Sequence, residues 1–369
     1  MLISGFATPE GTARFRERFR ARLPGHFRAT QGLWISSIGF GTFLGEPTAQ
    51  QDARYRDAIH EAVRSGVNII DTAINYRHQR SERAIGQALE ALISAGEIRR
   101  DEVVVASKGG FLSFDGEEPA DPSAYFQEKL LDPGIIRMEE VVADCHVMSP
   151  KYLENQIDAS RRNLGLETID IYHVHNPETQ LSQVGRDEFF RRLRAAFAAL
   201  EKAVAEGKIR RYGTATWNAY RAAPTSAEAL SLTDVLRVAE EVGGEDHHLQ
   251  AIQLPFNLAM PEAAVANCEP AGRKPTPLLQ TARAHGLLVF ASAPLLEGQL
   301  THDLPAELRN WFPGMQSDAQ RAIQFVRSTP GITSALVGMS NLEHVKENLG
   351  TALAEPMTLE QFRAILQGT

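Results

Sequence analysis

The feature that most constrains the fold of this chain is a rhythm. Near-continuous apolar runs alternate eight times with amphipathic helical patterns. The strand-like runs are Trp34–Gly39, Val67–Asp71, Val103–Ser107, Ile169–Val174, Arg210–Ala215, Leu249–Leu254, Leu287–Ala291 and Ile332–Val337. Most are rich in β-branched residues and lack in–out alternation, as expected of strands buried on both faces. Helical patterns fall at Gln51–Ser65, Ser81–Ser94, Pro150–Leu164, Arg186–Glu206, Leu232–Val242, Thr276–His285, Ser317–Ser328 and Leu342–Leu349. Four helix-to-strand junctions carry a glycine at the same place: Gly66, Gly165, Gly207 and Gly286. Glycine there can take the left-handed conformation that ends a helix. Eight such units predict parallel strands joined by crossover helices and closed into an α/β fold, the (β/α)8 TIM barrel. An open dinucleotide-binding sheet would need G-x-G-x-x-G after its first strand. The nearest match, Gly39–Gly45, is one residue too long and runs on into Pro47.

The whole of residues 1–369 reads as one barrel domain with two departures from the rhythm and an arm. Residues 109–149 form a long insertion after the third strand, rich in Asp, Pro, Gly and charge. Insertions at that end of a barrel form or cover the active site. Residues 297–316 are a second irregular stretch, in which Trp311-Phe312 reads equally as a lid or a packed anchor. Residues 1–30 carry six Arg (Arg14, Arg16, Arg18, Arg20, Arg22, Arg28) against Glu10 and Glu17. Because Phe15, Phe19 and Leu23 recur at helical spacing, this arm is expected to be a helix packed on the body rather than a targeting segment.

Composition excludes several classes. The net charge of −8 disfavours generic nucleic-acid binding. No apolar run is long enough for a membrane span, and the start lacks a signal-peptide pattern. Two cysteines, Cys145 and Cys268, cannot form a disulfide framework, so a reducing cytoplasm is the expected compartment. An oligomer remains possible. Cys145-His146 has no second pair at ligand spacing, so no metal is expected, and the pair reads as loop residues lining a pocket.

In a barrel the strand C-termini converge on one site. Reading those ends gives Asp71 after the second strand, Lys108 after the third and His175 after the fourth, with Tyr76 five residues past Asp71. The combination has a chemical logic. A free tyrosine is a poor acid near neutrality. A neighbouring ammonium stabilises its phenolate, and a carboxylate beside the lysine keeps it charged. A neutral histidine can hydrogen-bond a carbonyl oxygen. Together they would protonate an alkoxide as hydride arrives at carbon.

With these residues in place, the chain resembles the aldo-keto reductases. The matching segments are Gly39-Phe40-Gly41-Thr42, Val67 through Ala73, Tyr76 with Ser81 through Gly86, and Val105 through Lys108. They continue with Asn163 through His175, Gly207 through Arg210, Pro294-Leu295 with Gly298, and Val337-Gly338 to Asn348, covering about residues 34–350. The resemblance implies a catalytic tetrad of Asp71, Tyr76, Lys108 and His175. In it Tyr76 is the proton donor, Lys108 lowers its pKa, Asp71 pairs with Lys108, and His175 orients the substrate. The family motif favours His175 over His173, because His175-Asn176-Pro177 matches its end. His173 is then expected to be a buried, hydrogen-bonded layer residue, with Asn176 near the substrate.

The resemblance also implies a nicotinamide cofactor, NADPH rather than NADH, bound without a Gly-rich fingerprint, and a small carbonyl or alcohol substrate. Carried over residue by residue, the cofactor would meet Gly41, Thr42, Thr216, Gln253, Pro294, Leu295, Gly298, Gly338, Ser340, Asn341, His344 and Asn348. Thr216 and Gln253 fall at the nicotinamide end, where Thr216 stands in place of the usual Asn. The aromatic that often stacks on the nicotinamide is replaced by Ser292. Trp217 is a nearby candidate for the substrate, although a core tryptophan is the expected reading. After the eighth strand there is no bidentate Arg for a 2′-phosphate. Two further readings stay open. One is redox-neutral epimerase or lyase chemistry with a retained NAD(P). The other is a cofactor-sensing, non-catalytic subunit docked through the basic arm.

Overall fold

The computed structural model describes residues 2–270 and 274–367. Its eight central strands are β1 (Ile38–Gly41), β2 (Ile69–Asp71), β3 (Val104–Gly109), β4 (Ile169–His175), β5 (Ile209–Ala215), β6 (Leu249–Pro255), β7 (Leu288–Ser292) and β8 (Ser334–Gly338). Each pairs in parallel with its sequence neighbours, and β8 pairs with β1, which closes the (β/α)8 barrel. The helices that follow them are α1 (Ala49–Arg64), α2 (Arg80–Ser94), α3 (Pro150–Leu164), α4 (Arg186–Ala205), α5 (Leu232–Gly243), α6 (Leu278–Ala284), α7 (Asp318–Ser328) and α8 (Leu342–Gly350).

The unbroken apolar runs are explained by two hydrophobic layers. Inside the barrel sit Ile69, Val104, Ala106, Ile171, Ala251, Phe290 and Leu336. Their sequence neighbours Ile70, Val105, Tyr172, Ile252, Val289 and Val337 point outward into the layer under the helices. Successive residues of a strand face opposite sides, so both parities must be apolar. The four junction glycines have φ of +105° (Gly66), +66° (Gly165), +72° (Gly207) and +63° (Gly286). Each ends a helix in the left-handed region just before a strand, as their recurrence predicts.

The first strand is a correction. Trp34–Ser36 lies in a hairpin, where Leu33–Ser36 pairs antiparallel with Phe27–Thr30, and the barrel strand begins only at Ile38. Ser36-Ser37 is the only interruption of the run, and two serines are equally compatible with the interior of one strand, so the break is not marked as a change of strand. Likewise α6 starts at Leu278, because Thr276 and Pro277 pair with Asn267–Glu269.

The basic arm is helical over Pro9–Phe19, capped by the Thr8 hydroxyl, with Phe15 buried. Three of its arginines reach onto the body of the protein. Arg14 pairs with Asp101 (2.6 Å) and Glu102 (2.8 Å), and Arg18 with Glu102 (2.9 Å). The Arg16 guanidinium lies 4.0 Å over the Trp34 ring. Nearer the start, the Ala7 N–H donates to Asp170 at 2.7 Å, and Ile3 bridges to Leu166. The arm thus crosses the N-terminal end of the barrel beside the entries to β3 and β4.

At the opposite end, the segment between β3 and α3 builds a small core of Leu130, Ile136, Val147 and Tyr152. It then returns to the barrel, where the Val147 N–H donates to the Gly110 carbonyl at 2.7 Å. In the segment after β7, Phe312 is buried and Trp311 packs against the same core, so this pair is an anchor. Among the described residues no helix is long and apolar enough to cross a membrane.

Candidate active site

Strand register decides which side chains meet. Asp71 pairs with Ala106, Lys108 with His173, His175 with Ala215, and Ala215 with Gln253. Directly paired residues of parallel strands, and residues two apart on one strand, share a face. Asp71, Lys108, His173, His175 and Gln253 therefore all face the barrel interior, and all but His173 lie at its C-terminal rim.

The geometry is that of a single network. Lys108 Nζ donates to Asp71 Oδ2 (2.7 Å), to the Thr72 carbonyl (2.7 Å) and to Tyr76 Oη (3.3 Å). An ammonium has three protons, and these contacts use all three. Since Tyr76 Oη accepts from Lys108, its own hydrogen is free to point elsewhere. Asp71 Oδ1 accepts from Gln253 Nε2 at 3.0 Å. The His175 ring stands edge-on to Tyr76, with centroids 5.8 Å apart.

Burial shapes the protonation states. It pushes Asp71 up and opposes the charge on Lys108, but Asp71 and the Tyr76 oxygen together leave Lys108 raised, so the ammonium persists. For Tyr76 burial is also the largest effect. It outweighs the lowering by Lys108, so the phenol is raised above its ordinary value and stays protonated near neutrality. His175 is held well below its ordinary value by burial and then by Lys108, which makes it a neutral imidazole. His173 is also neutral, pushed down to about 3 by burial and Lys108. It is fully buried, as expected, and the Ser107 backbone lies beside its ring, but neither ring nitrogen makes a well-formed hydrogen bond.

The network opens into a cavity of about 690 Å³. Ten of the residues assigned to the cofactor line it: Gly41, Thr42, Thr216, Gln253, Pro294, Leu295, Gly298, Gly338, His344 and Asn348. Ser340 and Asn341 do not, and the Asn341 side chain instead caps its own helix by accepting from the Glu343 N–H at 2.9 Å. Asn176 and Trp217 both line the cavity. Trp217 is 40% exposed, which overturns its reading as a core residue. Its backbone N–H donates to Glu178 Oε1 at 2.6 Å, and so does that of Asn218 at 3.1 Å. Glu178, two residues past Asn176, thereby turns the β5 loop so that the indole faces the opening.

Several lining residues had escaped the sequence reading. Phe43, Asn75 and Phe111 flank Tyr76 and His175, while Glu297 and Glu347 put carboxylates on the wall. Asn75 was legible in principle, because it directly precedes Tyr76. Phe111 was not, because its place depends on how the insertion folds back.

The cavity suits a nicotinamide dinucleotide on its own evidence. It runs from Tyr76 and His175 to Gly338, Glu347 and Asn348 on the far side of the rim, which matches an elongated ligand. Thr216 Oγ1 and Asn75 Oδ1 are buried polar atoms without partners, and both residues line it. Buried polar atoms are costly without a partner, so an amide-bearing ligand placed there would satisfy them.

Comparison with known proteins gives the same picture. The aldo/keto reductase family model matches residues 37–310. The chain is 27% identical over 290 residues to the NADH-specific methylglyoxal reductase of Escherichia coli (strain K12), covering 77% of this chain and 70% of the relative. It is 26% identical over 364 residues to L-galactose dehydrogenase of Arabidopsis thaliana, covering 91% and 92%. Among solved structures, an aldo/keto reductase from Klebsiella pneumoniae in complex with NADP and acetate superposes with a TM-score of 0.61 at 22% identity, covering 93% of this chain and 94% of that one. A closed eight-stranded barrel, a buried Asp–Lys–Tyr network at its rim and a family match across most of the length lead to one conclusion: the chain belongs to the aldo/keto reductase family and is an NAD(P)H-dependent oxidoreductase.

Proposed function

We propose that the protein interconverts a small carbonyl compound and its alcohol, with Tyr76 as proton donor in reduction and proton acceptor in oxidation. The observation that carries this is the orientation of Lys108. Its three protons go to Asp71, Thr72 and Tyr76 Oη, which leaves the tyrosine hydrogen available to a substrate oxygen. When bound, a nicotinamide would supply or take up the hydride. Thr216 and Gln253 would hold its carboxamide, and Gly338, His344, Glu347 and Asn348 would meet the adenosine end.

The residues of this chain do the rest. Tyr76 passes its proton to the oxygen as negative charge develops there, and Lys108 stabilises the phenolate left behind. Asp71 holds the ammonium in place, and Gln253 holds Asp71. His175, a neutral imidazole at the same opening, hydrogen-bonds the substrate oxygen and fixes its approach. Phe43, Phe111 and Trp217 wall the opening and exclude water from the reacting atoms.

Replacing Tyr76 by Phe removes the proton and little volume. Turnover should fall about 10²- to 10⁴-fold, while the dissociation constant for NADH or NADPH, read by Trp217 fluorescence, stays within about twofold. Turnover close to wild type would refute the assignment. The wild-type titration also compares the two dinucleotides. No Lys or Arg is among the described residues lining the adenosine end, so a 2′-phosphate finds no guanidinium partner there. The two should bind within about tenfold of each other, roughly 1.4 kcal/mol. Carbonyl consumed and dinucleotide oxidised should match one to one, a stoichiometry that redox-neutral chemistry would not give.

A further inference from the structure

We infer that His146, delivered by the insertion between β3 and α3, is a positioning residue that fixes the peptide between His175 and Asn176. The inference rests on the reading of His175 given above. His146 is completely buried, and its Nε2 lies 2.7 Å from the His175 carbonyl oxygen. A carbonyl can only accept, so Nε2 carries the hydrogen. Nδ1 must then accept, and Gln180 Nε2 stands 3.1 Å away as its donor. Gln180 Oε1 accepts in turn from Arg192 Nη1 at 2.7 Å. The direction of every bond in the chain Arg192, Gln180, His146, His175 is therefore set, and it requires a neutral ring.

The other half of the same peptide is also held. The Asn176 N–H donates to the Ala215 carbonyl of β5 at 2.6 Å. Asn176 itself has a φ of +43°, in the left-handed region. Asparagine enters that region more readily than other non-glycine residues, and here the bonds on both sides of the peptide hold it there. With the carbonyl fixed by the insertion and the amide by β5, the two flanking side chains, His175 and Asn176, are aimed into the cavity.

Two further observations show a space built for this bond. A side chain on Gly110, which has φ +138°, would come within 2.8 Å of His146 Nε2 and 3.1 Å of the His175 oxygen. Only glycine leaves room for the contact. Phe111 stands edge-on to both imidazoles, with centroids 5.1 Å from His146 and 5.0 Å from His175. The insertion thus supplies the inner wall behind the histidine as well as an outer cover.

The test compares His146→Leu with His146→Gln, since a glutamine amide can both donate to the His175 carbonyl and accept from Gln180. His146→Leu should lower kcat about 10- to 100-fold, as losses of supporting contacts around a reacting group do. NAD(P)H affinity should stay within about twofold, because the altered peptide lies at the substrate side. His146→Gln should recover most of kcat. Gln180→Met, which keeps the His146 ring but removes the donor to its Nδ1 and to its backbone carbonyl, should show a loss in the same direction and serves if His146→Leu does not fold. Equal losses in the Leu and Gln variants, or losses that follow melting temperature instead of side-chain polarity, would overturn the inference. So would a kcat unchanged in all three. Tyr76→Phe, run alongside, separates the two claims. If it too keeps full turnover, the reading of the site has failed and not only the role of His146.

Discussion

At the scale of single residues, the site depends on a balance between desolvation and one buried ammonium. Burial raises Tyr76, and Lys108 pulls it back. Lys108→Met removes the only lowering effect while keeping much of the volume. Two results should follow. Turnover should fall about 10²- to 10⁴-fold, and the alkaline limb of the pH profile for reduction should move to higher pH, because the phenol becomes harder to ionise. Oxidation, which needs the phenolate, should suffer more than reduction at any fixed pH. A limb that stays in place would mean that another group limits the rate. Asp71, Lys108 and His175 were legible in the sequence because strand parity and a strand end fix a side chain almost by themselves. Trp217 was not. Its exposure follows from Glu178, a carboxylate on another loop that takes hold of two backbone amides. His173 shows a different limit, since the alternation of side chains placed it inside the barrel but could not say whether it would find a partner there.

At the scale of elements, the loop that carries Tyr76 is held in a demanding backbone conformation. Arg77, His78 and Gln79 follow it with φ of +51°, +54° and +69°. Each left-handed non-glycine residue costs about 1–2 kcal/mol. Arg77 and Arg80 both reach Asp52 of α1, and Arg77 also donates to the Glu46 carbonyl at 3.0 Å. The Gly116 N–H and the Gln79 side chain add bonds to and from the insertion. Asp52→Asn removes the charge that both guanidiniums share. It should lower stability to urea by about 2 kcal/mol and kcat/KM by about tenfold, with the fold intact by circular dichroism. An unchanged kcat/KM would show that the loop holds its shape without the clamp. None of this was readable beforehand, because Asp52 looks like any polar residue on an amphipathic helix. The barrel helices and most strand limits were readable, since period and glycine punctuation are local. The hairpin at Phe27–Ser36 was not, since pairing depends on where a strand finds its neighbour.

At the scale of the whole molecule, buried histidines weigh on the acid side of stability, and His175, held well below its ordinary value by burial, is one of them. His26 and His173 are pushed down to about 3 and His146 to about 4, each by burial first. The unfolded chain binds these protons near the ordinary histidine value of roughly 6.5, so folding is opposed as pH falls below it. The penalty grows from pH 6.5 down to the folded values and then levels off. At pH 5 it amounts to about 2 kcal/mol for each histidine. Melting temperature should therefore drop between pH 7 and pH 5, and the variant His26→Gln, which removes one of four such histidines, should flatten that slope by about a quarter. A melting temperature constant over this range would contradict the neutral buried state. The arm has a different consequence, one of time. Its first residues hold Asp101, Glu102, Leu166 and Asp170. None of these exists when the arm leaves the ribosome, and a chain grows at only about 5–20 residues per second. For several seconds the arginine-rich start has no docking place, so a part made before its partners is among the last to settle. The making and pairing of β4, which brings Leu166 and Asp170 into place, then becomes the event that ends its exposure to chaperones and proteases.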